Sequence, residues 1–438
     1  MVSIYKPKAA ARGPKHTELT IERWDHEAQG IHRQSQMISF ITGALPGETV
    51  KVELTEQKKN YQRGHVIKVL QPSALRQPLH CQANTRCGGC QLGYVSPAQA
   101  LALKSNGVAE LLQHQLKLTE LPWQAPLQGD PLGYRRKARL GVWLDQKTNR
   151  FQVGFRGFQS KEIVDVTACV VLSPVIAPAL SVLASQLPKL AKGRYITHAE
   201  VLDADGQAYI VIRHVKPLTD VDKKILMAAW PEAFWLGEAE SGVIEPWQQQ
   251  PEPCYRLADG TRLQFQASDF IQVNAAVNQQ MVAQALAWLM PEKSDQVLDL
   301  YCGIGNFSLA LAPKVQQVVA VEGVASMVNR ASQNAELNQL ANVHFYQADL
   351  HLPWRKAAWA QQRFDKIVLD PARAGAEGAI EQVAALKAAQ VLYVSCNATT
   401  FARDAKVLLA NGYRIAKIGV MDMFPYTSHL ELMALFEL

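Results

Sequence analysis

The sequence predicts an α/β protein with a doubly wound parallel sheet in its C-terminal part, preceded by a small OB-like β-barrel and a β-rich central region. Three observations carry this. The chain has 438 residues, enough for two or three cores of roughly 150 residues each. Its first half is filled with short β-rich runs broken by turn signals, whereas beyond residue 254 apolar strands alternate with amphipathic helical stretches. Finally, 48% hydrophobic and 19% charged residues exclude a disordered or low-complexity chain.

In chain order, β-rich runs at 19–24, 37–43, 49–55 and 64–70, with the turn Leu45-Pro46-Gly47, predict a closed barrel over 11–70. Residues 71–95 are dominated by Cys, Gly and Gln. Such a stretch has too little apolar surface for its own core and needs a staple. The region 96–253 is again β-rich, with runs at 137–144, 151–158 and 199–215 and a hairpin signal at Asp205-Gly206. Pro, Glu, Trp and Gln crowd 245–253, which reads as a linker. The last region, 254–438, carries strands at 296–300, 318–322, 343–349, 366–370 and 391–395 separated by helical patterns. There is no internal repeat.

Charge divides along the same line. The formal net charge is +6. From Tyr255 onward 15 Lys and Arg meet 16 Asp and Glu, leaving 30 against 23 in the first 254 residues. A cationic excess confined to one half suits a polyanionic partner, although a merely soluble basic surface fits the charge equally well. Two mixtures of cations and aromatics, 134–139 and 151–158, suit single-stranded RNA, with a solvated β-face as the alternative. The basic N-terminus lacks the apolar run of an export signal, and Pro174 and Pro178 interrupt the most apolar stretch, so a cytoplasmic protein is expected. Seven unevenly spaced cysteines do not form a secreted disulfide framework.

The run from Val297 to Phe307 is a strand, a turn containing Gly303 and Gly305, and a helix start. Such a turn lets backbone amides approach a ligand at the carboxyl end of the strand. Glu322, seventeen residues past Gly305, ends the next strand, where a carboxylate can take two ribose hydroxyls. Ser308 replaces the third glycine of the dinucleotide pattern, and Asp299 ends the strand before the turn. That acid would repel a pyrophosphate but suits an ammonium group, which favours S-adenosylmethionine. Asp349, ending the third strand, is then placed to meet the adenine edge.

Cys396 follows the strand at 391–395 and faces the same crevice, as a nucleophile or a buried core thiol. Cys81, Cys87 and Cys90 form a dense three-thiol set that needs a fourth ligand. Zinc and a radical-type iron site remain alternatives to a closed iron–sulfur cluster. Cys254 is left near the domain boundary and Cys302 in the cofactor loop.

Taken together, Phe270-Ile271-Gln272-Val273-Asn274, the run from Asp299 to Phe307, the Asp370-Pro371 turn, Ser395-Cys396-Asn397 and His429-Leu430-Glu431 resemble the RNA uracil-5-methyltransferases. The turn Gly43-Ala44-Leu45-Pro46-Gly47-Glu48 resembles their TRAM barrel. The resemblance spans nearly the whole chain. It implies a Rossmann-like class I methyltransferase domain over 254–438, a TRAM domain over 11–70, an iron–sulfur segment over 71–95 and an RNA-binding central domain over 96–253. It further implies that Cys396 is the nucleophile and Glu431 the base. Gln272, Tyr301, Asn306, Glu322, Asp349 and Asp370 would bind S-adenosylmethionine or hold the reacting base beside it. Cys169 would join Cys81, Cys87 and Cys90 around a [4Fe-4S] cluster. With both barrel and cluster, the chain is most similar to the branch that methylates a uridine of 23S ribosomal RNA. The alternatives are another ribosomal or transfer-RNA uridine, or a non-catalytic RNA-binding iron–sulfur assembly factor. Neither DNA nor a membrane is an expected partner, and a monomer is expected. Two positions depart from the family pattern: Ala372 stands where its turn has a second proline, and Ala28 where its barrel has a glycine.

Overall fold

The computed structural model describes residues 15–438, so the expected barrel start at residue 11 and the basic N-terminal stretch lie outside the described residues. The chain forms two compact units. One comprises residues up to Pro78 with Leu92–Leu111, the other Leu79–Gln91 with Leu112–Leu438.

The first unit contains β1 (Lys15–Thr20), β2 (Arg23–Trp24), β3 (Gly30–Gln34), β4 (Met37–Thr42), β5 (Thr49–Gln57) and β6 (Tyr61–Gln71), and most of helix α1 (Pro97–Leu116). The pairing order is β1-β5-β6-β4-β3-β2. Because β1 and β2 are two halves of one strand bent at Ile21-Glu22, this order closes on itself, and the expected OB-like barrel results. Leu19, Ile21, Ile41, Ala44, Val50 and Val52 fill it. Glu48, fully buried, closes the barrel end by accepting from Arg76 Nε at 2.5 Å, Arg76 Nη2 at 2.8 Å and the Leu45 amide at 2.8 Å. Ala28 sits buried at φ +58°, so the position where the family has glycine does take up the left-handed conformation that glycine favours.

The boundary expected at 95/96 is not where the chain divides. Leu92, Tyr94, Val95 and Ala100 pack with Trp24, Ala28 and Leu45 of the barrel. Helix α1 rests so closely on the barrel that a Cβ at Gly107 would lie 2.5 Å from the Asp25 carbonyl, and Arg23 pairs with Glu110 at 2.6 Å. Residues 79–91 instead join the second unit, where the Gly88 amide donates to Arg156 O and the Phe158 amide to Arg86 O.

In the second unit, β7 (Lys137–Asp145), β8 (Arg150–Arg156), β9 (Ile163–Asp165), β10 (Ile196–Ala204), β11 (Gln207–His214), β12 (Phe234–Glu238) and β13 (Ile244–Pro246) form a sheet in the order β13-β12-β11-β10-β7-β8-β9. Helices α2 (Ala179–Gln186) and α3 (Asp220–Ala229) cover one face with Leu180, Leu183 and Leu226. The stretch 245–253, read as a linker, starts inside β13, and Trp247 stacks on Trp235 at 6.2 Å. Nor does 253/254 separate compact bodies, because Leu202, Tyr209 and Val211 share one core with Tyr255, Leu263 and Phe265.

After a short hairpin, β14 (Cys254–Arg256) and β15 (Arg262–Gln264), comes helix α4 (Ala275–Leu289). The doubly wound domain then runs β16 (Gln296–Leu300), α5 (Ser308–Leu311), β17 (Gln317–Glu322), α6 (Ala325–Leu337), β18 (Val343–Gln347), β19 (Lys366–Leu369), α7 (Ile380–Leu386), β20 (Gln390–Ser395), α8 (Ala398–Ala410), β21 (Arg414–Met421) and β22 (Glu431–Glu437). The sheet order is β18-β17-β16-β19-β20-β22-β21, parallel through β20 with β22 antiparallel. The order reverses between β16 and β19, which opens a ligand crevice at the carboxyl ends of the strands.

Candidate active site

Every strand that borders the crevice delivers one of the predicted residues to it. Leu300 pairs with Val321 and with Leu369, so Tyr301, Glu322 and Asp370 emerge side by side one step later. Ser395 pairs with Leu432 across the antiparallel β20–β22 ladder, and one further step sets Cys396 opposite Glu431. Asp349 stands apart. It lies two residues beyond the end of β18 rather than at its end, exposed, with Oδ1 accepting from the His351 amide at 3.0 Å. The exposed apolar residues Val324 and Leu352 follow Glu322 and Asp349 closely in the chain, a feature the sequence reading did not single out.

The turn after β16 is bent by three left-handed residues, Tyr301 at φ +64°, Gly303 at +58° and Gly305 at +98°. Left-handed geometry at a tyrosine costs about 1–2 kcal/mol and persists where the surroundings enforce it. Here the Gly303 amide donates to Glu322 Oε2 at 3.1 Å, and Glu322 Oε1 accepts from the Val324 amide at 3.0 Å. Asn306 is held by residues the sequence reading missed. Its Oδ1 accepts from the Tyr255 hydroxyl at 3.1 Å and Asn278 Nδ2 at 3.2 Å, while its Nδ2 donates to Asn278 Oδ1 at 2.9 Å. The available signal was Asn278 itself, a polar residue one helical turn after the α4 cap Asn274 on a buried face.

Four buried polar atoms have no hydrogen-bond partner at this crevice: Gln272 Oε1, Asp299 Oδ1, the Tyr301 hydroxyl and Glu431 Oε2. Buried polar groups are almost always paired, so four orphans on residues lining one crevice mark a place shaped for ligand groups. The donor set fits S-adenosylmethionine, since Asp299 and Gln272 offer acceptors to an ammonium and Glu322 retains a lone pair on each oxygen for ribose hydroxyls.

The same burial perturbs the acids. Burial pushes Asp299 up to about 7, reinforced by the charges of Asp370 and Glu322 and opposed by a short hydrogen bond from the Ser308 hydroxyl. Asp370 is pushed up to about 7 by burial, and Glu431 to about 8 by burial and then by Asp370. The Cys396 thiol is raised by burial, then by Glu431 and Asp370, with Arg373 opposing. Acids shifted towards neutrality in one cleft are what proton transfer near pH 7 requires.

Asn397, beside the thiol, caps α8 by accepting from the Thr399 amide at 3.0 Å and, through Nδ2, donates to Arg373 O at 3.3 Å. Its presence is therefore explained by the helix start alone. Asp404, also missed, supports the 370–376 loop from below, accepting from the Tyr393 hydroxyl at 2.6 Å and the Ala376 amide at 2.7 Å. Ala372 is exposed on that loop.

The four predicted cysteine ligands come from 79–91 and from the loop after β9. Cys90 and Cys169 both pack against Tyr134 and Tyr426, and Cys87 and Cys169 against the central core. Burial and then neighbouring thiols raise Cys90 to about 12, and Cys87 is raised by burial with Cys169 and Cys81. Among the described residues, no three His, Cys, Asp or Glu side chains gather around one metal-ion position, and all seven cysteines are free.

The 134–139 stretch, expected to offer cations and rings to RNA, is largely internal. Tyr134 and Arg136 are buried, and Lys137 Nζ donates to the carbonyls of Ala267 and Asp269 at 2.6 Å each. The strand period turns alternate residues inward, so Arg139 stays exposed together with Trp143, Arg156 and Phe158. Among the described residues, no helix is long and apolar enough to cross a membrane.

The family model described as tRNA (Uracil-5-)-methyltransferase matches residues 257–350 and 355–437, and that of the TRAM domain matches 15–67. Over 100% of this chain and 99% of the relative, the sequence is 45% identical to the 23S rRNA (uracil(1939)-C(5))-methyltransferase RlmD of Vibrio cholerae serotype O1. It is 43% identical, over 100% of both chains, to the protein of that name from Vibrio parahaemolyticus. The crystal structure of Pyrococcus abyssi tRNA (uracil-54, C5)-methyltransferase in complex with S-adenosyl-L-homocysteine superposes with a TM-score of 0.74 at 22% identity, covering 96% of this chain and 100% of that one. That likeness bears out the fold, and the full-length identity to the curated relatives places this chain in the RlmD family of RNA uracil-5-methyltransferases.

Proposed function

We infer that this chain transfers a methyl group from S-adenosylmethionine to carbon 5 of a uridine in 23S ribosomal RNA, the reaction named for its relatives. The observation that carries the chemistry is the facing of Cys396 and Glu431 at the ends of β20 and β22, both within the field of Asp370. S-adenosylmethionine, when bound, supplies an electrophilic methyl carbon. Carbon 5 of uracil is too poor a nucleophile to accept it unaided. Cys396, as thiolate, adds to carbon 6, and the ring becomes an enolate nucleophilic at carbon 5. Once carbon 5 carries the methyl, Glu431 as carboxylate takes the carbon-5 proton. The electron pair re-forms the ring double bond, and the Cys396 thiolate leaves. Asp370, ionised, accepts a hydrogen bond from the ring imide, a donor that cytosine lacks. Gln272, Tyr301, Asn306, Glu322 and Asp349 hold the cofactor. The target base must leave its stack to reach Cys396, which a folded loop of RNA allows most cheaply.

Cys81, Cys87, Cys90 and Cys169 hold a [4Fe-4S] cluster in this reading. Its support is four half-buried thiols from two distant segments, with Cys87, Cys90 and Cys169 raised by burial and then by the neighbouring thiols. We take the working unit to be a cytoplasmic monomer acting on RNA, with neither DNA nor membrane as partner. Two measurements test the function. Mapping 5-methyluridine in ribosomal RNA from cells lacking the protein should reveal one unmodified 23S site, and an unchanged 23S pattern with loss in transfer RNA would overturn the target. RNA carrying 5-fluorouridine should form a stable adduct on Cys396, and attachment elsewhere would overturn the mechanism.

A further inference from the structure

Arg136 and Tyr255 lie outside every residue assigned above to cofactor or substrate, yet both are buried beside the cofactor crevice. Arg136 is 5% exposed. Burying a guanidinium is costly unless its charge and donors are met. Here the group lies 4.1 Å from the centre of the Tyr255 ring and Nε donates to Gln272 O at 2.8 Å, while Nη2 has no hydrogen-bond partner, so the ring and the Gln272 carbonyl carry most of the compensation. The backbone reinforces the same contact, since the Arg136 amide donates to Val273 O at 2.9 Å. Arg136 thus fixes the backbone of Gln272, whose side-chain oxygen is one of the four orphans. It also fixes the ring of Tyr255, whose hydroxyl donates to Asn306 Oδ1.

The consequence follows from counting hydrogen-bond positions. A carboxamide oxygen accepts two bonds and its nitrogen donates two. Asn306 Oδ1 is filled by Tyr255 and Asn278, and one N–H is spent on Asn278. What remains for the crevice is one N–H donor, suited to an oxygen acceptor such as the carboxylate or ribose of the cofactor. Without the Tyr255 hydroxyl the oxygen has a free lone pair, and the amide is no longer committed to presenting its donor.

We propose that Arg136 and Tyr255 are positioning residues for S-adenosylmethionine: they orient the Asn306 donor and the Gln272 acceptor and so set cofactor affinity. This rests on reading Asn306 and Gln272 as cofactor contacts. Tyr255→Phe keeps the ring over Arg136 and removes only the hydroxyl. Calorimetric titration of the full-length protein with S-adenosylhomocysteine should show binding weakened by about tenfold, the loss of one hydrogen bond, and KM for S-adenosylmethionine should rise more than kcat falls. A purely packing role for Tyr255 predicts unchanged affinity, and that result overturns the proposal. In a double-mutant cycle with Asn306→Ala the two losses should not add, whereas additive losses overturn it. If Asn306→Ala alone leaves affinity intact, the assignment of Asn306 falls and the proposal with it. If Asn306→Ala weakens binding while Tyr255→Phe does not, only the positioning role falls. Arg136→Lys gives a second measure that keeps the charge. It loses the planar contact and the Nε donor, and should weaken cofactor binding by a similar factor; unaltered binding overturns the role of Arg136.

Discussion

Glu431 and Cys396 make opposite demands on their surroundings. In the proposed reaction the thiol must lose a proton to attack and the carboxylate must be free to gain one, yet burial raises both pKa values, Glu431 adds to the rise at Cys396, and Asp370 adds to both. Glu431, pushed up to about 8, is mostly protonated at pH 6 and ionises as pH rises. The base step should therefore accelerate from pH 6 towards about 8 and level off above it, followed by single-turnover quenching at fixed RNA and cofactor. A rate independent of pH over that range would remove Glu431 from the role. Glu431→Gln should still form the adduct and transfer the methyl group but release product about 10²–10⁴-fold more slowly. A denaturing gel would then show methylated RNA trapped on protein. Cys396→Ala should bind cofactor normally and trap nothing. At this scale the strand-end position of Cys396 was legible in the residues themselves, with a core thiol as its alternative, whereas Glu431 was reached only through the family resemblance. Tyr255, Asn278 and Asp404 were silent, because their role is to hold another residue and their types are ordinary for a short strand or a helix.

The parallel strands are held at their amino ends, the opposite end from the proposed chemistry. Asp295, just before β16, accepts from Lys366 Nζ of β19 at 2.5 Å and from the Glu292 amide at 2.6 Å. Lys366 also donates to Met290 O at 2.9 Å, and both side chains are about nine-tenths covered. Asp295→Ala leaves a buried ammonium with one partner gone. It should cost about 3–5 kcal/mol in denaturant unfolding, with kcat unaltered at temperatures where the variant stays folded. A loss below 1 kcal/mol would mean that solvent reaches the pair. The parallel strands of this domain were legible because apolar runs of β-branched residues, fully buried, announce them, whereas their order and the antiparallel β22 were not read. The domain limits were not legible. Residues 92–111 join the barrel through Leu92, Tyr94, Val95 and Ala100, and Tyr209 and Tyr255 share one core across the expected linker. Such contacts link stretches far apart in sequence and leave no periodic trace.

Within the second unit, the cysteine segment packs on the loop that leads to Glu431, the proposed base. No residue of 79–91 is buried, so packing alone does not hold this segment. His80 stacks on Tyr426 at 4.0 Å, and the Tyr134 hydroxyl donates to Pro425 O at 3.3 Å, while Cys90 and Cys169 pack against both tyrosines. Residues 425 and 426 lie on the loop that returns the chain to Glu431. Thiols this crowded repel as thiolates, and a bound cationic cluster would remove that repulsion and fasten 79–91 to the loop. Protein purified without oxygen should carry iron and acid-labile sulfide in equal amounts, whereas zinc without sulfide would identify a different centre. Cys169→Ala should lose the iron. By hydrogen exchange it should lose protection at 80–91 and 422–430 while the amides of β16–β20 keep theirs, because the apolar core of the sheet does not depend on the centre. If the centre also steadies the base, the trapped adduct of the metal-free variant should decay more slowly than that of the intact protein. Equal decay, with exchange at 422–430 unaltered, would confine the cysteine site to holding its own segment.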